Sequence, residues 1–296
     1  MNYQTAAAFR RALEDWLRNQ AVSTGAPLVR LRKMVAFDRV LARLQAADPS
    51  AWLLKGGFAL QLRFGDRSRT TRDLDLLQVE PGADSWNELR EAAGIDAQDW
   101  FEFEIAMPVE IPGEDQPGGQ RFAVQSRLDG RRFEDFHIDV GTGDPVVEPA
   151  EILETPGLLA FAGIKPVRVP AYPLSQQVAE KLHAYTRPFP RGQQSSRVRD
   201  LADILLIAGE AWLDAARLRQ AIEQTFEVRS THPVPPELPL PPESWSAPFR
   251  RLNDELKLGW EDLTQARGAA QSFLGPLLRG TAAGVWNPPN WRWDQG

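Results

Sequence analysis

Apolar residues recur every three to four positions from Tyr3 to Asn19 and from Leu28 to Ala46. That is the spacing of two amphipathic helices, and the second opens just after Pro27, a residue favoured in a first helical turn. The apolar run Ala51 to Leu54 predicts a short buried strand, broken by Gly56-Gly57. Phe58 to Phe64 follows as one or two helical turns ending at Gly65, then a strand over Thr71 to Val79 and a helix over Ser85 to Ala93. Three strand-like segments come next: Trp100 to Met107, Arg121 to Leu128 and Phe133 to Val140. In the first of them Phe101, Phe103 and Ile105 alternate with Glu102 and Glu104, the period of a half-buried strand. Asp129-Gly130 is a hairpin signal.

Past about Pro166 the period changes to that of helices, over Leu174 to Tyr185, Val198 to Ala208 and Trp212 to Val228. A last helix over Glu261 to Leu274 carries Leu263, Ala266, Ala270, Phe273 and Leu274 as its stripe, and Gly275-Pro276 is expected to stop it. The stretch HPVPPELPLPPESW reads as an extended surface loop, and the tail VWNPPNWRWDQG shows no clear period. The expected architecture is α+β: a mixed-sheet core with N-terminal helices over residues 1–165, and a helical region with a proline-rich loop over 166–296.

The chain has 296 residues with an ordinary apolar fraction and a formal net charge of −6, which argues against a generic nucleic-acid coat but not against a local basic cleft. It has no cysteine, which excludes disulfides and thiolate zinc sites. No apolar run reaches the roughly eighteen residues of a membrane span, and the N-terminus lacks a signal-peptide pattern, so a cytoplasmic protein is expected. Only five of the 34 basic residues are lysine, and two of these, Lys55 and Lys181, fall within the segments that follow.

The chemistry concentrates in Lys55-Gly56-Gly57 and Thr70-Thr71-Arg72-Asp73-Leu74-Asp75. On a strand, Asp73 and Asp75 project from one face while Leu74 and Leu76 enter the core. Their roots lie about 6.6 Å apart, so the side chains can lean inward around cations about 3.5–4 Å apart, the spacing of two-metal phosphoryl-transfer sites. Their repulsion is roughly 2.5 kcal/mol at an effective dielectric near 20. Thr71 and Leu77, the same-face neighbours, offer no cation and Arg72 belongs to the other face, so bound Mg²⁺ or Mn²⁺ would be the neutralising charge. An isolated Asp-x-Asp is also met on solvated edge strands. Here Asp139 lies on a second strand, Phe136 to Val140, facing away from that strand's apolar side. Gly56-Gly57 opens a short helix whose N–H groups and bare backbone suit a phosphate, although a tight turn explains the pair equally well. Lys55 ends the preceding strand, and Arg63, Arg67, Arg69 and Arg72 lie in and around the loop that follows. No Walker phosphate loop, His-Glu-x-x-His or Gly-x-Ser-x-Gly is present. His137, His183 and His232 are far apart and show no metal spacing; His137 shares a face with Asp139.

KGGFALQLRFGDRSRTTRDLDLL resembles the signature of the AbiEii/AbiGii nucleotidyltransferase toxins, within the polymerase-beta-like nucleotidyltransferase superfamily. QQVAEKLHAY and RVRDLADILLI resemble the helical motifs of that family, and the likeness spans roughly Leu53 to Ile207. The resemblance implies that Asp73 and Asp75 bind metal, with Asp139 as third carboxylate, that Lys181 contacts the triphosphate, and that Asp200 is an essential acid. The wider superfamily has Gly-Ser in its phosphate loop where this chain has Gly56-Gly57-Phe58, so Ser68, Thr70 or Thr71 would have to supply the hydroxyl. Read from the residues alone, Lys181 flanks an apolar stripe and could snorkel to the surface. Asp200 and Asp203 read as first-turn acids of a helix capped by Ser195 or Ser196. Arg187, Arg191, Arg197 and Arg199 form a basic connector that is either a phosphate or RNA contact or a solvated loop.

The expected activity is transfer of a nucleoside monophosphate from an NTP to an acceptor hydroxyl, with the second half of the chain closing over the triphosphate. By resemblance the acceptor is tRNA, and the protein is the toxin of a toxin–antitoxin or phage-defence pair with a cognate antitoxin. The alternatives are a transferase acting on a protein or small-molecule hydroxyl, and a non-catalytic nucleotide- or partner-binding module.

Overall fold

The computed structural model describes residues 1–111, 119–188 and 197–295. The chain forms two units. One comprises Met1–Arg63, Thr70–Gly143 and Ala150–Ala171; the other comprises Phe64–Arg69, Asp144–Pro149 and Tyr172–Gly296.

The first unit opens with helices α1 (Ala6–Thr24) and α2 (Leu28–Ala47). Helix α1 begins later and runs longer than its apolar period predicts, because its ends are set by caps. Thr5 accepts a hydrogen bond from the Ala8 N–H, and Gly25 takes the left-handed conformation at the other end. Phe9, Leu13 and Leu17, one helical turn apart, are fully buried. Strand β1 (Trp52–Lys55) runs directly into α3 (Gly56–Phe64), so the glycine pair starts the helix instead of preceding it. Strand β2 (Asp73–Gln78), helix α4 (Ser85–Ala93), and strands β3 (Phe101–Ile105), β4 (Val109–Ile111), β5 (Gly119–Leu128) and β6 (Arg131–Thr142) follow. Three short strands, β4, β7 (Glu151–Glu154) and β8 (Arg168–Ala171), went unread in the sequence.

These strands form one mixed sheet in the order β3-β5-β6-β2-β1-β8-β7, with β4 also pairing β5. Strands β2 and β6 run parallel, while β1–β2 and β5–β6 are antiparallel. The β5–β6 hairpin turns at Asp129 and Gly130, both with positive φ (56° and 65°), the conformation Asp-Gly favours. Phe122, Leu74, Leu76 and Ile138 point from the sheet into a core shared with Phe9, Phe37 and Phe58. The opposite face of β2 and β6 carries the acidic residues.

The second unit holds α5 (Leu174–Thr186), α6 (Val198–Glu210), β9 (Leu213–Asp214), α7 (Ala215–Arg229), α8 (Ser246–Leu256), α9 (Leu263–Leu278), β10 (Val285–Asn287) and β11 (Arg292–Asp294). Helix α7 starts at Ala215 because Asp214 caps it, accepting from the Arg217 N–H, while Leu213 pairs with Trp286 in the sheet β11-β10-β9. Gly275-Pro276 does not stop α9 as expected. A proline so near the end forfeits one backbone hydrogen bond, and Leu274 and Leu277, both buried, hold the last turn in place. The proline-rich stretch is extended but not wholly superficial. Leu238 and Trp245 are buried, and the Tyr185 hydroxyl donates to the Pro239 carbonyl at 2.8 Å. The capping role expected of Ser195 or Ser196, and Arg191, lie outside the described residues; α6 begins after Arg197 without a side-chain cap. Among the described residues, no helix is long and apolar enough to cross a membrane.

Candidate active site

Strand register assembles the acidic face of the first unit. Antiparallel pairing sets Lys55 opposite Asp75, parallel pairing sets Asp75 beside Asp139, and the hairpin sets Asp139 opposite Arg121. One row across four strands therefore reads cation, carboxylate, carboxylate, cation. In the neighbouring row Asp73 pairs with His137, whose Nδ1 lies 3.4 Å from the Asp73 carboxylate. Residues beside each other in such rows point to the same face about 4.8 Å apart, so Asp73, Asp75 and Asp139 share one small patch. The structure thus brings the three candidate acids together.

Gly56 shapes that patch. Its φ is +66°, and a Cβ built there would lie 1.9 Å from Asp75 Oδ2. Only a residue without a side chain lets the carboxylate rest against this backbone. The Gly57 N–H, in the first turn of α3, donates to the same oxygen at 3.4 Å. The bare backbone of Gly56-Gly57 is therefore turned toward Asp75.

Arg121, absent from the sequence-level candidates, holds both oxygens of Asp139, with Nε at 2.7 Å and Nη2 at 2.6 Å. The hydrogen bonds to Asp139 raise the guanidinium pKa further above its ordinary value; burial opposes the rise, and the charges of Asp139, Asp73 and Asp75 add to it. Arg121 and Asp73 line an open cleft of about 800 Å³ together with Lys33, Arg72, Arg127 and His137, a size suited to a nucleotide-scale ligand. The linear spacing gave no sign of Lys33, Arg121 or Arg127, since their approach depends on how α2, β5 and β6 pack.

The arginines expected to neutralise phosphate separate. Arg72 lines the cleft. Arg63 is instead a buried partner of Glu151, at 2.9 and 3.0 Å. Arg67 and Arg69 belong to the second unit, where Arg67 pairs with Glu210 and Arg69 with Asp203. The candidate hydroxyls are engaged as well: Ser68 donates to the Gly65 carbonyl at 2.7 Å and Thr71 to the Asp73 carbonyl at 3.0 Å.

In the second unit, Lys181 is not a snorkelling surface residue. Its ammonium lies 2.7 Å from Asp203 and 3.5 Å from Asp200. Asp203 is fully buried and also accepts a fork from Arg69, at 3.2 Å to each oxygen. Burial alone would push the Asp203 carboxyl up, but Lys181 and Arg69 outweigh it and hold it below the usual carboxylate range. Burial likewise opposes the Lys181 charge, and Asp203 and Asp200 override it, raising the ammonium pKa. Asp203 is thus the charged centre of an ion-pair cluster, not a capping acid. His183 and His232, far apart in sequence, pack with ring centroids 4.6 Å apart, tilted by 41°, and share Thr231.

No curated protein matches the chain at a significant level. MenT4, a nucleotidyltransferase toxin of Mycobacterium tuberculosis H37Rv, superposes with a TM-score of 0.52 at 18% identity, covering 98% of this chain and 100% of that one. JHP933 of Helicobacter pylori gives a TM-score of 0.42 at 14% identity over 84% of this chain and 90% of that one. The similarity to MenT4 supports the α+β fold. The sequence profile of the nucleotidyl transferase AbiEii toxin of type IV toxin–antitoxin systems matches residues 39–295, reaching beyond Ile207 through the proline-rich stretch and the tryptophan-rich tail. With that match over most of its length, the chain belongs to the AbiEii family and is a nucleotidyltransferase toxin of the type IV toxin–antitoxin class.

Proposed function

We propose that the protein transfers a nucleoside monophosphate from an NTP to a hydroxyl of tRNA, with Mg²⁺ or Mn²⁺ held by Asp73 and Asp75 and with Asp139 as the third carboxylate. The observation that carries this reading is the juxtaposition of the three carboxylates on one sheet face beside Gly56 and an open cleft. Their donor set is oxygen alone, which suits a hard divalent cation, and the carboxylate of Asp75 rests in a cradle that any Cβ at position 56 would fill. Both oxygens of Asp139 accept from Arg121, and among the described residues no three acidic or histidine side chains already converge as a metal site.

When bound, a divalent ion supplies Lewis-acid stabilisation of charge on the phosphate oxygens. The acceptor oxygen attacks the α-phosphorus, the bond from that phosphorus to the bridging oxygen breaks, and pyrophosphate carries off the electron pair. In this reading Asp139 takes the hydroxyl proton or joins the ligand set, and Lys55 and Arg72 balance phosphate charge. The toxin acts within a pair, so a cognate antitoxin is its expected protein partner.

Label transfer tests the reading. Purified protein, Mg²⁺ and total RNA are incubated with each α-labelled NTP, alongside Asp73→Ala. Label is expected in a tRNA-sized band, falling on the order of 10²–10³-fold or more in the variant. Label in protein or a small-molecule fraction would move the acceptor to the alternative class. Equal labelling by Asp73→Ala would remove the carboxylates from the chemistry.

A further inference from the structure

We infer that Arg121 is a switchable counter-ion: it holds Asp139 until a divalent cation claims that carboxylate, and then passes to a phosphate oxygen of the substrate. The inference rests on the proposed metal role of Asp73, Asp75 and Asp139. Three observations carry it. Both oxygens of Asp139 are engaged by the guanidinium fork, at 2.6 and 2.7 Å, so a cation and Arg121 would compete for one carboxylate. Asp139 and Asp75 are register neighbours on parallel strands, so whatever neutralises Asp139 also relieves their repulsion. Finally, the Arg121 side chain is 44% exposed and lines the open cleft, so it can leave Asp139 without disturbing the core.

The backbone of β5 does not need to move. Arg121 is paired with Asp139 on one side and Val109 on the other, which fixes its Cα while the long side chain turns. Exposed ion pairs are weak enough to open when a stronger partner arrives. A guanidinium suits the exchange, because the fork that fits a carboxylate also fits a phosphate. The bland competitor is a static strap between β5 and β6, and it makes a different prediction about metal affinity.

The first test is Mn²⁺ titration of the full chain without nucleotide, reading free Mn²⁺ by electron paramagnetic resonance. Parent, R121Q, R121K, D139N, R121Q/D139N and D73A are compared, with circular dichroism melts confirming that each is folded. R121Q is expected to tighten Mn²⁺ binding about tenfold and R121K by less, and the gain should vanish in the D139N background. Unchanged or weaker binding by R121Q, or a gain that persists without Asp139, overturns the switch in favour of the strap. If D73A binds Mn²⁺ as the parent does, the metal reading has itself failed and the inference falls with it.

The second test adds a non-hydrolysable α,β-methylene triphosphate at saturating Mn²⁺. If the receiving oxygen belongs to the nucleotide, R121Q weakens analogue binding about tenfold. If it belongs to the acceptor, analogue binding is unchanged and the KM for RNA rises by a similar factor. A change in neither overturns the hand-over.

Discussion

At position 56, the absence of a single methyl group decides where the Asp75 carboxylate can lie. The Gly56→Ala substitution asks an L-residue to hold a φ of +66° and to place its Cβ 1.9 Å from Asp75 Oδ2. The backbone strain alone costs about 1 kcal/mol, and the carboxylate must shift by more than an ångström. Label transfer should fall roughly 100-fold with only a modest loss of thermal stability, since a misplacement of that size is costly to catalysis. Parental activity in Gly56→Ala would show that the position of Asp75 does not matter. The acids were legible because strand alternation is local: Asp73, Leu74 and Asp75 announce their faces in sequence. Arg121 was not, because its partner lies 18 residues away and is set by hairpin register. The ion pairing of Lys181 is hidden for a similar reason, since Asp203 reaches it through the packing of α5 against α6.

Elements with a strong period or a definite punctuation mark were legible. Helix α4 and the Asp129-Gly130 hairpin follow directly from such signals, whereas the four-residue strands β7 and β8 are too short to show a period. Between α5 and the segment after α7, the link was invisible in sequence: His183 of α5 packs against His232, and Thr231 bridges both rings. Burial holds His183 neutral, and the neighbouring charges of Arg229, His232 and Arg187 act the same way, taking its pKa down to about 3. The folded-state pKa is depressed below the unfolded value near 6.5, so the contribution of His183 to stability is fully present above pH 6.5. Below that, the unfolded chain takes up a proton that the folded chain refuses. Stability should therefore fall by at most about 1.4 kcal/mol per pH unit, the one-proton limit, as pH drops from 6.5 toward 3. Urea titrations at pH 7.5 and 5.0 check this: the loss on acidification should be smaller in His183→Gln than in the parent. An equal loss in both would assign the effect to other groups.

Across the whole molecule, the family profile runs to residue 295, and the second unit gives a physical reason for a tail that has no sequence period. Three tryptophans of the tail each spend their indole N–H on a helix carbonyl: Trp286 on Ala208 of α6 at 2.7 Å, Trp291 on Ala269 of α9 at 3.0 Å, and Trp293 on Phe273 of α9 at 2.9 Å. Trp286 is fully buried, and its ring centroid lies 4.8 Å from that of Phe273. The Gly284 carbonyl accepts from the Ala215 N–H at the start of α7. Strands this short cannot display alternation, so the tail looked irregular although it closes a core. Removing residues 281–296 would uncover the apolar sides of α6 and α9 and leave the carbonyls of Ala208, Ala269 and Phe273 without their indole donors. Truncation is expected to abolish soluble expression or cooperative melting of this unit. Trp286→Ala gives a graded version of the same test, at about 3–5 kcal/mol, equivalent to a drop in Tm on the order of 10 °C. If the truncated chain instead melts with the parent and keeps its tryptophan-free helices cooperative, the tail is an appendage, and the reach of the family profile to residue 295 would need a functional explanation in place of a structural one.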